Sequence, residues 1–360
     1  MNQASQYYIN ADTARDLCIK ILAATGAGED NAALVVDNLI QAELRGISSH
    51  GLSRMMVYCT RLENGQINVK PDIKIISETS GTLLMDADNS LGQVAGVKAM
   101  DLCLDKALSS GISACSVRNG SHFGIAAYYA MRAVPRDMIG ITLTNAPATM
   151  APWGSITAML GTNPLCFAIP AGARKPVVFD SATSVVARGK VILADKENRP
   201  IPEGWAMDKL GRPTTDAAEA LLGSVLPFGG YKGSGISIVI DILCALLSGA
   251  SFGKHIGELY NNTSTYQDLG FFFAAINIAS FCDPAAFKKR MDQMIDEIKG
   301  SEKAYGVEEI FVPGEIEFNN ETEVRRRGVE IGPGVLGDLK KLSEKFGIGI
   351  DPYTLVTRLE

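Results

Sequence analysis

The chain has 360 residues, enough for two or three cores, with 46% hydrophobic and 21% charged residues, the balance of a soluble globular protein. A formal net charge of −6 excludes nucleic acid as the main partner, because phosphate binding needs a basic stripe. No segment approaches about eighteen consecutive apolar residues, so no membrane span is expected. Seven Cys without a C-x-x-C, mostly in apolar contexts such as Leu165-Cys-Phe167, read as free thiols of a reducing compartment. The start, Met1 to Gln6, is polar and lacks an apolar signal core. The expected location is cytoplasmic.

Residues 1–64 read as helical. Asp12 suits an N-cap for a helix through about Ala24, ended by Gly26 and Gly28. A second helix runs from about Asp30 to Arg45, with Leu34, Val35, Leu39 and Ile40 on its core face. A third starts at His50 and closes at Asn64-Gly65. From Ile73 the pattern changes to strands and helices. Ile73–Ser77 and Thr82–Asp86 are short strands, Gly92–Leu108 a helix, and Ile112–Val117 a strand. His122–Arg132 is a helix stopped near Pro135, and Ile139–Thr144 a strand. Residues 145–176 are loop-rich. Val177–Asp180 is a strand, and residues 198–216 are a Pro/Gly-rich excursion, a surface loop or lid. Ser234–Ser248 is an apolar helix, Leu269–Ile278 a buried strand, and Asp283–Lys299 a helix with Pro284 at its first position. Glu309–Val312 is a short strand. Glu317–Gly328 and Gly334–Phe346 are helices that can return onto the N-terminal ones. Arg325-Arg326-Arg327 reads as a solvated helix face. Without strict βαβ order, the expected fold is α/β with a mixed, largely antiparallel sheet.

Three stretches can carry chemistry. In Arg45–Tyr58, His50, Arg54 and Tyr58 stand at i, i+4 and i+8, one face of a helix. Such a face offers a proton carrier, a fixed cation and a phenol, a set suited to a small anion. A surface helix carrying a His is the competing reading. His122, in Arg118-Asn-Gly-Ser-His-Phe-Gly124, opens a helix after a strand; the helix dipole would keep it neutral. A capping or packing His competes there. Pro227-Phe-Gly-Gly-Tyr-Lys-Gly-Ser-Gly235 leads into a helix and suits an anion such as a cofactor phosphate, against a plain flexible turn. No Walker sequence or G-x-G-x-x-G accompanies it. Thr144–Pro147, Gly161–Pro164 and Asp180–Ser184 are weaker turns of the same kind. His255 has no partner pattern. No metal-ligand spacing appears, and no G-x-S-x-G nucleophile elbow.

In this order, Arg45-Gly-x-x-Ser-His-Gly-x-x-Arg-x-x-x-Tyr58, Ser121-His-Phe-Gly124, Gly161-Thr-Asn-Pro164, Asp180-x-Ala-Thr-Ser184 with Gly189-Lys190, and Gly230-Tyr-Lys-Gly-Ser-Gly235 resemble the malate/L-lactate dehydrogenase family. That family also holds ureidoglycolate and sulfolactate dehydrogenases, diketogulonate reductase and a cyclic-imine reductase. The resemblance spans about residues 8 to 330. It implies an NAD- or NADP-dependent oxidoreductase with a non-Rossmann nicotinamide-binding domain, acting as a homodimer on a small 2-hydroxy or 2-oxo acid. It implies His50 and His122 as acid/base candidates, with Ser49, Arg54 and Tyr58 around the substrate. Cofactor contacts would come from Asn145, Ala146, Phe179, Asp180, Ser181, Ala182, Thr183, Ser184, Val185, Tyr231, Lys232, Gly314 and Glu315. The expected division is a helical domain of residues 1–72 joined by 317–360, an α/β core of 73–120 and 230–316, and a nicotinamide and substrate region of 121–229. Pro147 stands where ureidoglycolate enzymes carry an Asp. Arg188 resembles the malate and sulfolactate members and suits a second anionic group, so malate is the first expectation. L-lactate, sulfolactate and ureidoglycolate, or a 2-oxo sugar acid or cyclic imine, are the alternatives. A non-catalytic NAD(P) sensor is the alternative of another class.

Overall fold

The computed structural model describes residues 6–260 and 266–359; the polar start before Gln6, part of the expectation of no export signal, lies outside them. The chain opens with a strand, β1 (Gln6–Ile9), where helix was expected. It pairs antiparallel with two strands from the far end of the chain, so only tertiary contact makes it a strand. Then come α1 (Ala11–Leu22), α2 (Glu29–Leu44) and α3 (Met55–Glu63). The cap of α1 is Asn10 and not Asp12: Asn10 Oδ1 accepts the N–H groups of Asp12 at 2.9 Å and Thr13 at 3.2 Å. Asp12 sits inside the first turn, where its charge meets Arg15 and the helix dipole.

Two expected helix starts are corrected. His50 does not open a helix. Ser48–His50 and Leu52–Arg54 are separate 3₁₀ turns, split at Gly51, whose ψ of −140° is not helical. His122 does not open one either. Gly124, at φ +78°, breaks the chain there, and Asn38 fills the space where a Cβ would stand.

The centre of the fold is built from β2 (Lys74–Glu78), β3 (Thr82–Asp86), α4 (Gly92–Ser110) and β4 (Ile112–Gly120). It continues with a single turn of helix, α5 (Ala127–Ala130), and β5 (Met138–Thr144). The loop-rich stretch conceals β6 (Leu165–Ile169), which is followed by β7 (Val177–Ser181). Next is an excursion of α6 (Arg188–Lys196), β8 (Ala206–Met207), β9 (Pro213–Thr214), α7 (Ala217–Leu222) and β10 (Ser224–Val225). The apolar helix α8 (Tyr231–Asp241) begins a turn earlier than expected and runs into a wider π segment. The chain finishes with β11 (Leu269–Asn277), α9 (Pro284–Lys299), α10 (Glu315–Arg327), β12 (Val329–Ile331), α11 (Pro333–Lys345) and β13 (Val356–Leu359). Glu309–Val312 forms no strand; with Pro313 next to it, it leads as irregular chain into α10.

Seven strands form one mixed sheet in the order β2-β3-β4-β11-β5-β6-β7. Only β3 and β4 are parallel, because α4 provides their crossover; the other neighbours are antiparallel. The period of two along β11 decides what each Phe does. Phe271 and Phe273 are fully buried with Phe123 and Tyr129, whereas Phe272 faces Leu143 and Ile240 of a small core under α8. The excursion is more than a loop. Its three-stranded sheet, α6 and α7 enclose a core of their own with Met150, Val191, Ala206 and Val225. A further core joins the two ends of the chain: Leu17, Ile21 and Leu39 pack with Leu336, Leu339 and Leu342 of α11. Each such side chain contributes about 1.5–3 kcal/mol on burial. The exposed Lys345–Glu63 pair beside them contributes about 0–1 kcal/mol. Apolar burial therefore docks the C-terminal helix.

Candidate active site

The three residues read as one helix face come from three different turns, yet two of them converge with His122. Tyr58 lies on α3 and is buried; its Oη is 2.6 Å from His122 Nδ1. The His50 and His122 rings stack with centroids 5.5 Å apart. Gln93, in the first turn of α4, donates from Nε2 to Tyr58 Oη at 3.0 Å. Gln267 accepts the backbone N–H of His122 at 3.0 Å. His122 is thus fixed from both its main chain and its ring. The His50 backbone N–H donates to the Ile47 carbonyl at 2.9 Å, and its ring makes one hydrogen bond, Nδ1 to the exposed Ser49 Oγ at 3.0 Å.

Both imidazoles are held neutral, for a different reason than the sequence suggests. His122 opens no helix of its own, so the dipole expected from one is absent. Burial lowers its pKa well below 6.5, and the charge of Arg54 and the neighbouring His50 push the same way. Burial, then Arg54, brings His50 down to about 4. Burial also pushes the Tyr58 phenol up to about 12. At neutral pH the group therefore holds two neutral bases, one neutral phenol and one cation.

Arg54 ends the second 3₁₀ turn. One guanidinium nitrogen bonds the Tyr260 phenol, and its carbon lies 5.6 Å from the Tyr260 ring centroid. Its Nε is buried without a hydrogen-bond partner, so a donor stands idle beside the histidines. A carboxylate satisfies such a donor. Below this loop, buried Glu43 accepts the Leu52 N–H at 2.7 Å and holds the His50–Arg54 turns in place. Arg188 is placed differently. It opens α6, and its Nη2 donates to the Leu221 carbonyl at 3.3 Å.

The stretches expected to meet a cofactor assemble mainly through backbone. The Val178 N–H donates to the Pro313 carbonyl at 2.9 Å, which brings Phe179–Val185 beside Gly314 and Glu315. The Val185 N–H reaches Leu226, and the Phe228 N–H reaches Thr183, which ties in the glycine turn before Tyr231 and Lys232. Phe179, Val185, Tyr231 and Lys232 are exposed along this wall. Ser181 and Ser184 turn their hydroxyls onto neighbouring carbonyls, those of Ala182 and Val186. Asp180 accepts the Ala127 N–H at 2.8 Å and so links the wall to the segment after His122. Glu315 pairs with Lys299 and accepts the Val312 N–H. Asn145 is buried, with its amide spent on Asp241, Ser251 and Gly270. The Ala146 N–H is taken by Asn163. The wall fits a nicotinamide cofactor on two observations: exposed aromatic and aliphatic faces that a ring can cover, and a buried Thr183 Oγ1 without a partner.

Gln93, Gln267, Tyr260 and Glu43 carry no local motif. The only sequence signal for Gln93 and Glu43 is a polar residue on an otherwise apolar helical stretch. Among the described residues, no helix is long and apolar enough to cross a membrane.

A family model described as malate/L-lactate dehydrogenase matches residues 9–340. An L-sulfolactate dehydrogenase of Methanocaldococcus jannaschii is 42% identical over 96% of this chain and 99% of its own. A malate dehydrogenase of Pyrococcus abyssi is 40% identical over 92% of each. The solved structure of the sulfolactate dehydrogenase from Methanocaldococcus jannaschii superposes with a TM-score of 0.91 at 40% identity, covering 97% of this chain and 99% of that one. Two further relatives carry a cofactor in their names. One is a ureidoglycolate dehydrogenase (NAD(+)) of Escherichia coli O157:H7, 32% identical over 90% of this chain and 92% of its own. The other is a (2R)-3-sulfolactate dehydrogenase (NADP(+)) of Chromohalobacter salexigens, 34% identical over 76% and 82%.

Proposed function

The chain belongs to the malate/L-lactate dehydrogenase family, oxidoreductases acting on CH–OH groups, and we propose that it oxidises a small 2-hydroxy acid carrying a second anionic group. The observation that carries this is the Tyr58–His122 pair, neutral and fixed, beside an Arg54 with an idle buried donor. A bound nicotinamide, NAD or NADP, supplies the hydride acceptor. His122 takes the hydroxyl proton, because an alkoxide does not form near pH 7 without a base. Arg54 binds the C1 carboxylate and turns C2 toward the cofactor wall, so binding becomes orientation. His50 and Ser49 line the open side and position the substrate. Arg188 is assigned to the second anion, which requires it to leave the Leu221 carbonyl. Malate, oxidised to oxaloacetate, is the first substrate in this reading. Sulfolactate is the second, supported by the 42% identical relative of that name. The site residues along the cofactor wall are those from Phe179 to Val185, Tyr231 and Lys232, with Gly314 and Glu315 behind them.

We assign a homodimer and a cytoplasmic location as part of the same reading. Support for the dimer is the row of exposed apolar side chains on and after α8: Ile238, Val239, Ile242, Leu246 and Leu247. Support for the location is six buried free Cys. A steady-state assay of malate, sulfolactate, L-lactate and ureidoglycolate, each with NAD and NADP, tests the function. Turnover is expected to be fastest with malate or sulfolactate. Absence of activity with every 2-hydroxy acid overturns it; tight NADH binding in that case would leave the sensor reading.

A further inference from the structure

Tyr58 Oη lies between two groups, Gln93 Nε2 at 3.0 Å and His122 Nδ1 at 2.6 Å. A phenol has one hydrogen to give. While Gln93 donates to the phenol oxygen, that hydrogen goes to His122 Nδ1. Nδ1 is then an acceptor, and the neutral ring carries its hydrogen on Nε2. In this arrangement Gln93 Oε1 is buried with no partner. Rotating the amide by about 180° exchanges its two ends without moving another heavy atom. Tyr58 then donates to Oε1 and accepts from Nδ1–H, and Nε2 offers its lone pair. Each orientation leaves one end of the amide unpartnered, so neither is locked. The Gly124 N–H, 3.4 Å from Nδ1, weakly favours the first.

We infer that Gln93 is a positioning residue whose amide orientation decides which ring nitrogen of His122 carries the proton. The inference rests on His122 as the base of the proposed function. In oxidation the substrate hydroxyl proton moves to Nε2, while the hydride from C2 goes to the bound cofactor. The resulting imidazolium has hydrogens on both nitrogens, and its Nδ1–H needs an acceptor. The Tyr58 oxygen serves only while its own hydrogen is given to Gln93 Oε1. In reduction the same proton returns from Nε2 to the C2 oxygen. The other route, in which Tyr58 hands its proton to Nδ1, would leave a buried phenolate, and burial holds this phenol up to about 12. The titratable and charged groups facing His122 are Tyr58, Arg54 and His50; the Gln267 contact is neutral. None of them accepts the Tyr58 hydrogen in place of Gln93. The buried acceptor that is idle in the resting site thus gains its partner when the base is protonated.

The test uses the full chain labelled with ¹⁵N-histidine. Only three His are present, so the His122 signals are assigned by comparison with a His122→Asn sample. Gln93→Met removes the acceptor. The ¹⁵N shifts should report His122 protonated on Nε2, and oxidation kcat should fall about tenfold or more with KM changed about twofold at most. Gln93→Glu offers, once ionised, an acceptor without an N–H. It should move the proton to Nδ1 and shift the low-pH limb of kcat to higher pH, because a carboxylate favours the nearby cation. If the Met variant fails to fold, the near-isosteric Glu variant decides alone. In Gln93→Glu, unchanged His122 shifts together with an unchanged limb overturn the inference. The spectra need no turnover, so the two readings fail separately. A tautomer change in a protein inactive on every 2-hydroxy acid would retire the proposed function and sustain the relay. Turnover with an unmoved tautomer would do the reverse.

Discussion

The acid/base half of the candidate site and its cofactor wall are built on opposite plans. His122, Tyr58, Gln93 and Gln267 come from distant parts of the chain and meet through side chains in a mostly buried setting. The wall from Phe179 to Val185, with the glycine turn at 227–235, is assembled from separate stretches through backbone hydrogen bonds, and Phe179, Val185, Tyr231 and Lys232 are left open. The difference follows from what each half must do. A base needs an imidazole kept neutral, and burial beside a cation does that. A phosphate or a ring needs open donors and flat faces, and burial before binding would defeat it.

The strongest way to break this contrast is to exchange the roles of the two histidines. The His122 ring is hydrogen-bonded by the buried Tyr58 phenol, the His50 ring by the exposed Ser49 hydroxyl. His122→Asn should lose about 10²–10⁴-fold in kcat, the range of general base catalysis. It should also lose the low-pH limb, which in the native protein falls below the ordinary imidazole range because His122 titrates low. His50→Asn should mainly raise KM and keep the limb. Rate profiles of the native protein and both variants, taken from pH 9 down to the lowest pH at which the fold holds, check this; a His50→Asn that loses the limb would move the base to His50.

The same contrast explains what could be read from the sequence. The glycine turn of the proposed cofactor wall was legible because it is local: Pro227–Gly230 turns the chain at two positive-φ glycines directly into α8. Most of the helices and the central strands were legible from their periodicity, as α4 and β11 show. β1 was not, since four residues become a strand only between β12 and β13. β6 was not, because Pro and Gly on both sides of Leu165–Ile169 hide a five-residue strand. The helical spacing of His50, Arg54 and Tyr58 picked out residues that gather near His122, but not as one helix face. Gly51 interrupts the helix, and a tertiary fold gathers Tyr58 and His122 instead. Gln93 shows only as a polar residue on an apolar helical stretch, because its partner is 35 residues away and no motif joins them.

Glu43 tests whether burial governs the acid/base half. Burial is the largest influence on this carboxyl and raises it from 4.5 to about 7, against hydrogen bonds from Leu52 and Ser48 that lower it. The folded protein therefore binds this proton more tightly than the unfolded chain. The resulting stability is fully present below pH 4.5 and is lost as pH rises through about 7. A shift of this size corresponds to about 3 kcal/mol. Glu43→Gln keeps an acceptor for Leu52 without the charge. Urea unfolding at pH 5 and pH 8.5 should show the variant gaining up to about 3 kcal/mol on the native protein at the higher pH. An equal difference at both pH values would show that burial does not control this group. Arg54→Ala probes the one cation of that half. It should reduce kcat/KM by the equivalent of about 1.5–3 kcal/mol, the scale of hydrogen bonds to a charged group. Guanidine added to the assay separates the cause: partial rescue marks a lost anion anchor, and no rescue marks a collapsed loop.

The smallest effect belongs to the open half, and its smallness is the point. Lys232 is exposed at the second position of α8, just after the left-handed glycines 229 and 230. Water already solvates its ammonium, so a phosphate gains less there than at a buried donor. Lys232→Ala should weaken NADH or NADPH binding by about 1 kcal/mol, at the low end for a charged hydrogen bond. The loss should shrink further as salt rises from 0.05 to 0.5 M, since exposed charges are screened. KM for the hydroxy acid at saturating cofactor should stay within about twofold, because the lysine helps no substrate step. Calorimetry at the two salt concentrations, with the assay beside it, checks both statements. A loss above about 3 kcal/mol that ignores salt would mean that cofactor binding closes the wall over Lys232. The two halves would then be buried alike in the working enzyme, and the contrast between them would hold only for the unliganded fold.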